Sequence, residues 1–148
     1  PRAAVGLQRA FMARILVVED DPHNARVFAA VLERLGGHRV RVTEDGDEIL
    51  RAAREDAVDL ILLDVSLSNT GFDGRPVDGI QLCQVLKGNP HTRGVPVLLA
   101  TAHAMAGDRE AFRVASGANG YLAKPVVDHG LLVRVVNALI QRAETRGA

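Results

Sequence analysis

The 148-residue chain predicts an α/β domain on an open, doubly wound sheet of five parallel strands, with helices on both faces. Three observations carry this expectation. Short apolar runs alternate with helically spaced apolar positions five times along the chain. The first, third and fourth runs are apolar on both faces, as strands covered by helices on each side must be. Strand–helix alternation implies parallel strands with right-handed crossovers, and five strands are too few for the eight-stranded barrel.

Arg14-Ile15-Leu16-Val17-Val18 is the first strand, and the acidic turn Glu19-Asp20-Asp21-Pro22 comes directly after it. Val27, Val31, Leu32 and Leu35 then recur at helical spacing until Gly36-Gly37 ends the helix. Arg39–Val42 is a short second strand, and Asp45-Gly46 opens a helix carrying Ile49, Leu50 and Ala53. Leu60–Leu63 is the third strand, ended by Asp64, and a polar, glycine-containing stretch runs from Ser66 to Val77. A helix over Asp78–Lys87 stops at Gly88-Asn89-Pro90. Val95–Ala100 is the fourth strand, Asp108–Ser116 a fourth helix ended by Gly117, and Gly120–Leu122 the fifth strand. Asp128 is the expected N-cap of a last helix with Leu131, Leu132, Val135, Val136, Leu139 and Ile140 on one side. Pro1–Ala13 lies outside the pattern and reads as an upstream remnant before a start at Met12, with a short ordered arm as the alternative. The domain is expected over 14–142, with 143–148 as a tail.

Composition narrows the function classes. Eighteen basic and eighteen acidic side chains cancel, so the chain has no global positive field for nucleic acid or anionic membrane. Of the basic residues only Lys87 and Lys124 are lysines. A single cysteine, Cys83, excludes an internal disulfide and a multi-cysteine zinc site; it suits a reducing compartment and a core position. No apolar run approaches the roughly 20 residues of a membrane span, and the N-terminus lacks a signal-peptide layout. A cytoplasmic, soluble protein is expected. His23, His91, His103 and His129 are scattered without metal-ligand spacing.

In an open parallel sheet, ligands sit beyond the carboxyl ends of the strands. The residues at those ends are therefore informative: Glu19, Asp20 and Asp21 after the first strand, Asp64 after the third, Thr101 after the fourth, Lys124-Pro125 after the fifth. Each residue alone has a bland explanation as turn-former, helix cap or solvated loop residue. Together they place acidic groups, a hydroxyl and one of two lysines on one sheet edge. Convergent carboxylates repel unless a cation neutralises them, and hard oxygen donors completed by water suit Mg²⁺. Lys124 can place a charge on a phosphoryl oxygen, Thr101 can donate to another, and Asp64 can form an acyl phosphate.

Ile15-Leu16-Val17-Val18-Glu19-Asp20-Asp21, Leu60-Ile61-Leu62-Leu63-Asp64, Thr101-Ala102 and Gly120-Tyr121-Leu122-Ala123-Lys124-Pro125 resemble the receiver domain of two-component response regulators, of the stand-alone type, over Arg14 to Arg142. The resemblance implies the flavodoxin-like strand order 2-1-3-4-5. It implies phosphorylation of Asp64 by a histidine kinase or histidine phosphotransfer protein, and Mg²⁺ held by Asp20, Asp64 and the Ser66 backbone carbonyl, with Glu19 acting through a metal-bound water. Thr101 would be the switch hydroxyl, Lys124 the phosphoryl clamp and Tyr121 the switch aromatic. The signal would leave through the face of the fourth helix, fifth strand and fifth helix toward a downstream protein, without direct nucleic-acid or membrane contact; homodimerisation is left open. The implied role is a signalling phosphoacceptor that assists its own phosphorylation and dephosphorylation rather than an enzyme.

One departure stands out. Asp78-Gly79 lies fourteen residues after Asp64, which resembles an insertion of about seven residues against the short loops that normally suffice. The stretch carries Phe72, and it is either a tolerated surface insertion or an element beside Asp64 that screens partners or water. A phosphohydrolase of the aspartyl-phosphate type would need a second Asp two residues past the nucleophile, where Ser66 stands. A degenerate binding module would lack a site residue, and no glycine-rich nucleotide loop comes after the first strand.

Overall fold

The computed structural model describes residues 11–67, 70–102, 111 and 114–147. β1 (Arg14–Val18) leads to α1 (Pro22–Ala30), which widens into a π-helical turn over Val31–Leu35. β2 (Arg39–Thr43), α2 (Gly46–Arg54) and β3 (Leu60–Asp64) follow. A hairpin of β4 (Gly71–Phe72) and β5 (Arg75–Pro76) comes next, then α3 (Gly79–Lys87), β6 (Val97–Thr101), β7 (Gly120–Ala123) and α4 (His129–Gly147). The expected fourth helix, Asp108–Ser116, falls outside the described residues at 108–110 and 112–113; positions 111 and 114–116 are helical.

All five long strands pair in parallel in the order β2-β1-β3-β6-β7, which is 2-1-3-4-5 counted along the main sheet. The expected doubly wound sheet is what forms. Its strands alternate between two cores, because successive side chains point to opposite faces. Leu16, Val18, Ile61, Leu63 and Leu99 pack with Ile49, Leu50, Leu82 and Leu86 of α2 and α3. Ile15, Val17, Leu60, Leu62 and Leu98 pack with Phe28, Leu32, Leu132 and Val136 of the α1–α4 side.

Acidic caps start the helices. The Asp21 carboxylate accepts the His23 and Asn24 N–H groups at 2.8 and 3.2 Å, with Pro22 in the first turn. Asp45 caps α2 in the same way. Asp78 and Gln81 form a reciprocal capping box on α3. Asp128 accepts the Leu131 N–H at 2.9 Å and opens α4.

Four local outcomes differ from expectation. β6 begins at Val97, because Pro96 has no N–H for the ladder and the Val95 N–H turns back to the Thr92 carbonyl. Leu35 is 60% exposed: the wider π turn slips the helical register and turns it away from the core. Leu131 points outward, leaving Leu132, Val136, Leu139 and Ile140 as the buried stripe of α4, and that helix runs through the expected tail to Gly147. At the other end, buried His38 links distant segments. Its Nδ1 accepts the Ala13 N–H at 3.0 Å, its Nε2 lies 2.7 Å from Asn137 Oδ1, and Phe11 meets its ring edge-on. Phe11 and Ala13 therefore pack onto the fold, while Met12 between them is exposed. No described helix is long and apolar enough to cross a membrane.

Candidate functional site

Strand register brings the candidate residues to one edge. Val18 is level with Leu63, Asp64 with Ala100, and Thr101 with Ala123, so the chain leaves β1, β3, β6 and β7 at nearly one height. Glu19, Asp20, Asp64 and Lys124 lie at the ends of three of these strands or one or two residues beyond.

Glu19, Asp20 and Asp64 each offer a carboxylate oxygen, and these oxygens all lie within 4.8 Å of one another. Glu19 and Asp64 are buried, whereas Asp20 is half-buried. Lys124 crosses from the end of β7 to meet them, with its Nζ 3.1 Å from Glu19 Oε1 and 3.0 Å from Asp64 Oδ1. Two backbone donors complete the arrangement. The Asp21 N–H donates to Glu19 Oε2 at 3.2 Å, and the Ser66 N–H to Asp64 Oδ1 at 3.2 Å.

Burial pushes the Glu19 carboxyl above its ordinary range and the hydrogen bond with Asp64 pushes it further; the Lys124 ammonium and the Asp21 N–H oppose this without cancelling it. Burial alone would lower Lys124. Its hydrogen bonds and attraction to Asp64 and Glu19 outweigh that, and the ammonium is held above its usual range. Among the described residues, three carboxylates and one ammonium meet here. The donors are all hard oxygens. The cluster therefore fits a small hard cation such as Mg²⁺ on donor chemistry and spacing.

Thr101 is fully buried at the end of β6, and its carbonyl accepts the Lys124 N–H at 2.8 Å. The Lys124–Pro125 peptide is cis. Tyr121 lies in β7 opposite Leu99, half-buried against the α2–α3 core. Ser66 is exposed in the loop after β3. Asp21 belongs to the helix cap rather than the cluster, as its position one residue further into the turn suggests.

Gly79 was legible in the sequence only as a helix start, yet it abuts the site. A Cβ there would fall 2.0 Å from the Asp64 carbonyl oxygen, while its N–H donates to the Val65 carbonyl at 3.0 Å. Within the stretch after β3, residues 71–76 form a hairpin that its turn-rich composition did not announce. Asp73 and Gly74, with φ of +54° and +76°, form the tight turn between β4 and β5. An Asp-Gly pair between two extended segments is the sequence signal for such a hairpin.

Known proteins share the sequence pattern and the fold. The family model of the response regulator receiver domain matches residues 15–137. The histidine-protein kinase BarA of Shigella flexneri is 35% identical over 123 residues; the match covers 81% of this chain and only 12% of that protein. The polar-differentiation response regulator DivK of Brucella anthropi is 36% identical over 112 residues, covering 76% of this chain and 84% of its own. Among solved structures, the receiver domain of sensor histidine kinase PA1611 from Pseudomonas aeruginosa, which has a magnesium ion coordinated in its active-site cleft, matches at TM-score 0.72 and 35% identity. That match covers 88% of this chain and 98% of the other. With matched family, fold and length of alignment in accord, the chain belongs to the response regulator receiver domains.

Proposed function

We propose that this receiver is a phosphoacceptor switch. Asp64 takes a phosphoryl group from the phosphohistidine of a histidine kinase or histidine phosphotransfer protein. An Asp64 carboxylate oxygen bonds to phosphorus as the phosphorus–nitrogen bond breaks, and the freed imidazole takes its proton from solvent. The observation that carries this reading is the Lys124 ammonium bridging Glu19 and Asp64 beside a third carboxylate. Mg²⁺ would be held by Asp20, Asp64 and the Ser66 carbonyl, with Glu19 behind a bound water, and it would supply positive charge to the phosphoryl oxygens.

The chain's own groups then have distinct tasks. Lys124 shifts its attraction from the Asp64 carboxylate to the incoming phosphoryl oxygens. The Thr101 hydroxyl donates to another phosphoryl oxygen, and Tyr121, in the strand paired with β6, follows it. The signal leaves at the face of β7, α4 and the helix before β7, toward a downstream protein. The natural setting is the cytoplasm. The relatives are kinases and regulators of which this domain is often a small part, so partner identity belongs to the proposal.

Intact-mass analysis after acetyl phosphate and Mg²⁺ tests the reading. One phosphate adduct is expected, lost with chelator and lost in Asp64→Asn; that variant should be as stable as the parent or more so, because one repelling carboxylate is gone. Full labelling of Asp64→Asn would overturn the assignment.

A further inference from the structure

The insertion after β3 is seated on α2. Asp45 and Gly71 make an isolated parallel bridge, and the Asp73 N–H donates to Asp47 Oδ1 at 3.3 Å. Gly46, the first residue of α2, passes so close to the hairpin that a Cβ on it would lie 2.5 Å from the Gly71 carbonyl oxygen and 3.0 Å from Phe72 Cβ. Phe72 and Val77 pack against the α2–α3 core, and the Val77 N–H closes the hairpin's base on the Thr70 carbonyl at 3.0 Å. Thr70 is itself buried.

The other end of this segment is the site. Val65 and Leu67, on either side of Ser66, are buried in the same α2–α3 core. The Val65 N–H donates to the Ala100 carbonyl at 2.9 Å. Ser66 therefore sits between buried Val65 and Leu67, with buried Thr70 and the hairpin on α2 a few residues further along. A long free loop would sample many conformations and fix a carbonyl poorly; a loop tied down at several points loses that freedom.

We propose that the hairpin and its seat on the N-terminus of α2 are a positioning strap for the metal-binding loop, holding Ser66 and Asp64 in the arrangement that takes Mg²⁺. This rests on the metal reading above. The strap contributes no ligand; it acts as an outer support, by keeping the loop from relaxing when the cation is absent. The sequence requirement is narrow: a glycine at position 46 to admit the hairpin backbone, and an aromatic at 72 to hold it against the core.

Gly46→Ala tests the strap in the whole chain. It places a methyl where the hairpin backbone lies, while alanine favours the helix it starts, so the fold should survive. Phe72→Ala is the second variant, removing the apolar anchor without touching α2. Hydrogen exchange on the metal-free proteins should show faster exchange at Asp73 and Val77, and also at Val65 and Ser66. Calorimetric titration with MgCl₂ should show affinity about tenfold weaker, the scale of lost outer-shell support. Acetyl phosphate labelling at saturating Mg²⁺ should stay within about twofold of the parent, since no reacting group has moved out of reach.

A variant whose hairpin exchanges fast while Ser66 exchange and Mg²⁺ affinity match the parent overturns the strap. Unchanged hairpin exchange in both variants overturns the seat itself. If the parent chain takes no Mg²⁺, the metal reading fails instead, and the exchange at Val65 and Ser66 still decides whether the hairpin holds the loop.

Discussion

Replacing Gly79 by alanine should disturb the site more than its distance in sequence from any site residue suggests. The new Cβ would sit 2.0 Å from the Asp64 carbonyl oxygen and 2.8 Å from both the Asp64 carbonyl carbon and Val65 Cα. Ordinary contact begins near 3.4 Å, so backbone must move by about 1.4 Å, and every near atom is main chain. Overpacking of this kind costs about 1–3 kcal/mol, and the better helix propensity of alanine returns about 0.5–1 kcal/mol. A net loss of up to about 2.5 kcal/mol follows, which in a chain of this size lowers Tm by up to roughly 10 °C. Activity should fall further than stability, because the displaced backbone carries Asp64, and misplacement by about 1 Å can cost roughly a hundredfold. Urea unfolding and single-turnover labelling with acetyl phosphate read the two effects separately. Gly94→Ala is the control, since a Cβ there meets nothing within 4 Å. If Gly79→Ala matches Gly94→Ala in both assays, the close approach of α3 to Asp64 has no functional weight.

Three further outcomes are expected. Asp20→Ala should weaken Mg²⁺ by more than about tenfold with little loss of stability, whereas Asp21→Ala should cost about 1 kcal/mol through the lost α1 cap and leave Mg²⁺ affinity near the parent value; equal affinity losses in a titration would place the metal register one residue off. Without Mg²⁺, stability should rise on acidification from neutral pH: the raised carboxyl of Glu19 contributes stability fully present below its unfolded value and lost as pH climbs through its folded one. Below about pH 4 the trend should reverse. Partial burial would raise Asp59, but three hydrogen bonds from Arg14 outweigh it and hold the carboxyl low, and that stability disappears as pH falls through its folded value; urea midpoints that fall steadily from pH 7 to 5 would refute the Glu19 assignment. Beryllofluoride with Mg²⁺ should change the near-ultraviolet signal of Tyr121, a clean reporter in a chain with one tyrosine and no tryptophan; an unchanged spectrum would move the switch to another element.

Much of the fold was legible because its signals are local. Apolar runs marked the strands, and Asp21, Asp45, Asp78 and Asp128 stand where helices need N-caps. That Glu19, Asp20, Asp64 and Lys124 meet was legible for a related reason: an open parallel sheet presents the residues beyond its strands at one edge, so reading strand ends amounts to reading which side chains converge. The rest depended on long-range geometry. His38 joins partners 25 and 99 residues away, and nothing beside it announces either one. The importance of Gly79 lies in the backbone it approaches, and the π turn at Val31–Leu35 shifts register without a glycine or proline inside it to mark it. The hairpin was a missed local signal: Asp73-Gly74 is a hairpin turn pair, obscured because two-residue strands are too short to show alternation.

The alternation of each strand between two cores has an evolutionary consequence. The sheet is a partition, and a substitution on one side is felt on the other mainly through the strands they share. Tyr121 and the inserted hairpin both belong to the α2–α3 compartment, while its neighbour Leu122 belongs with Phe28 and Leu132. The packing beneath α1 and α4 is thus free to drift by a separate mutational route, leaving the compartment that contains the tyrosine and the hairpin largely unaltered.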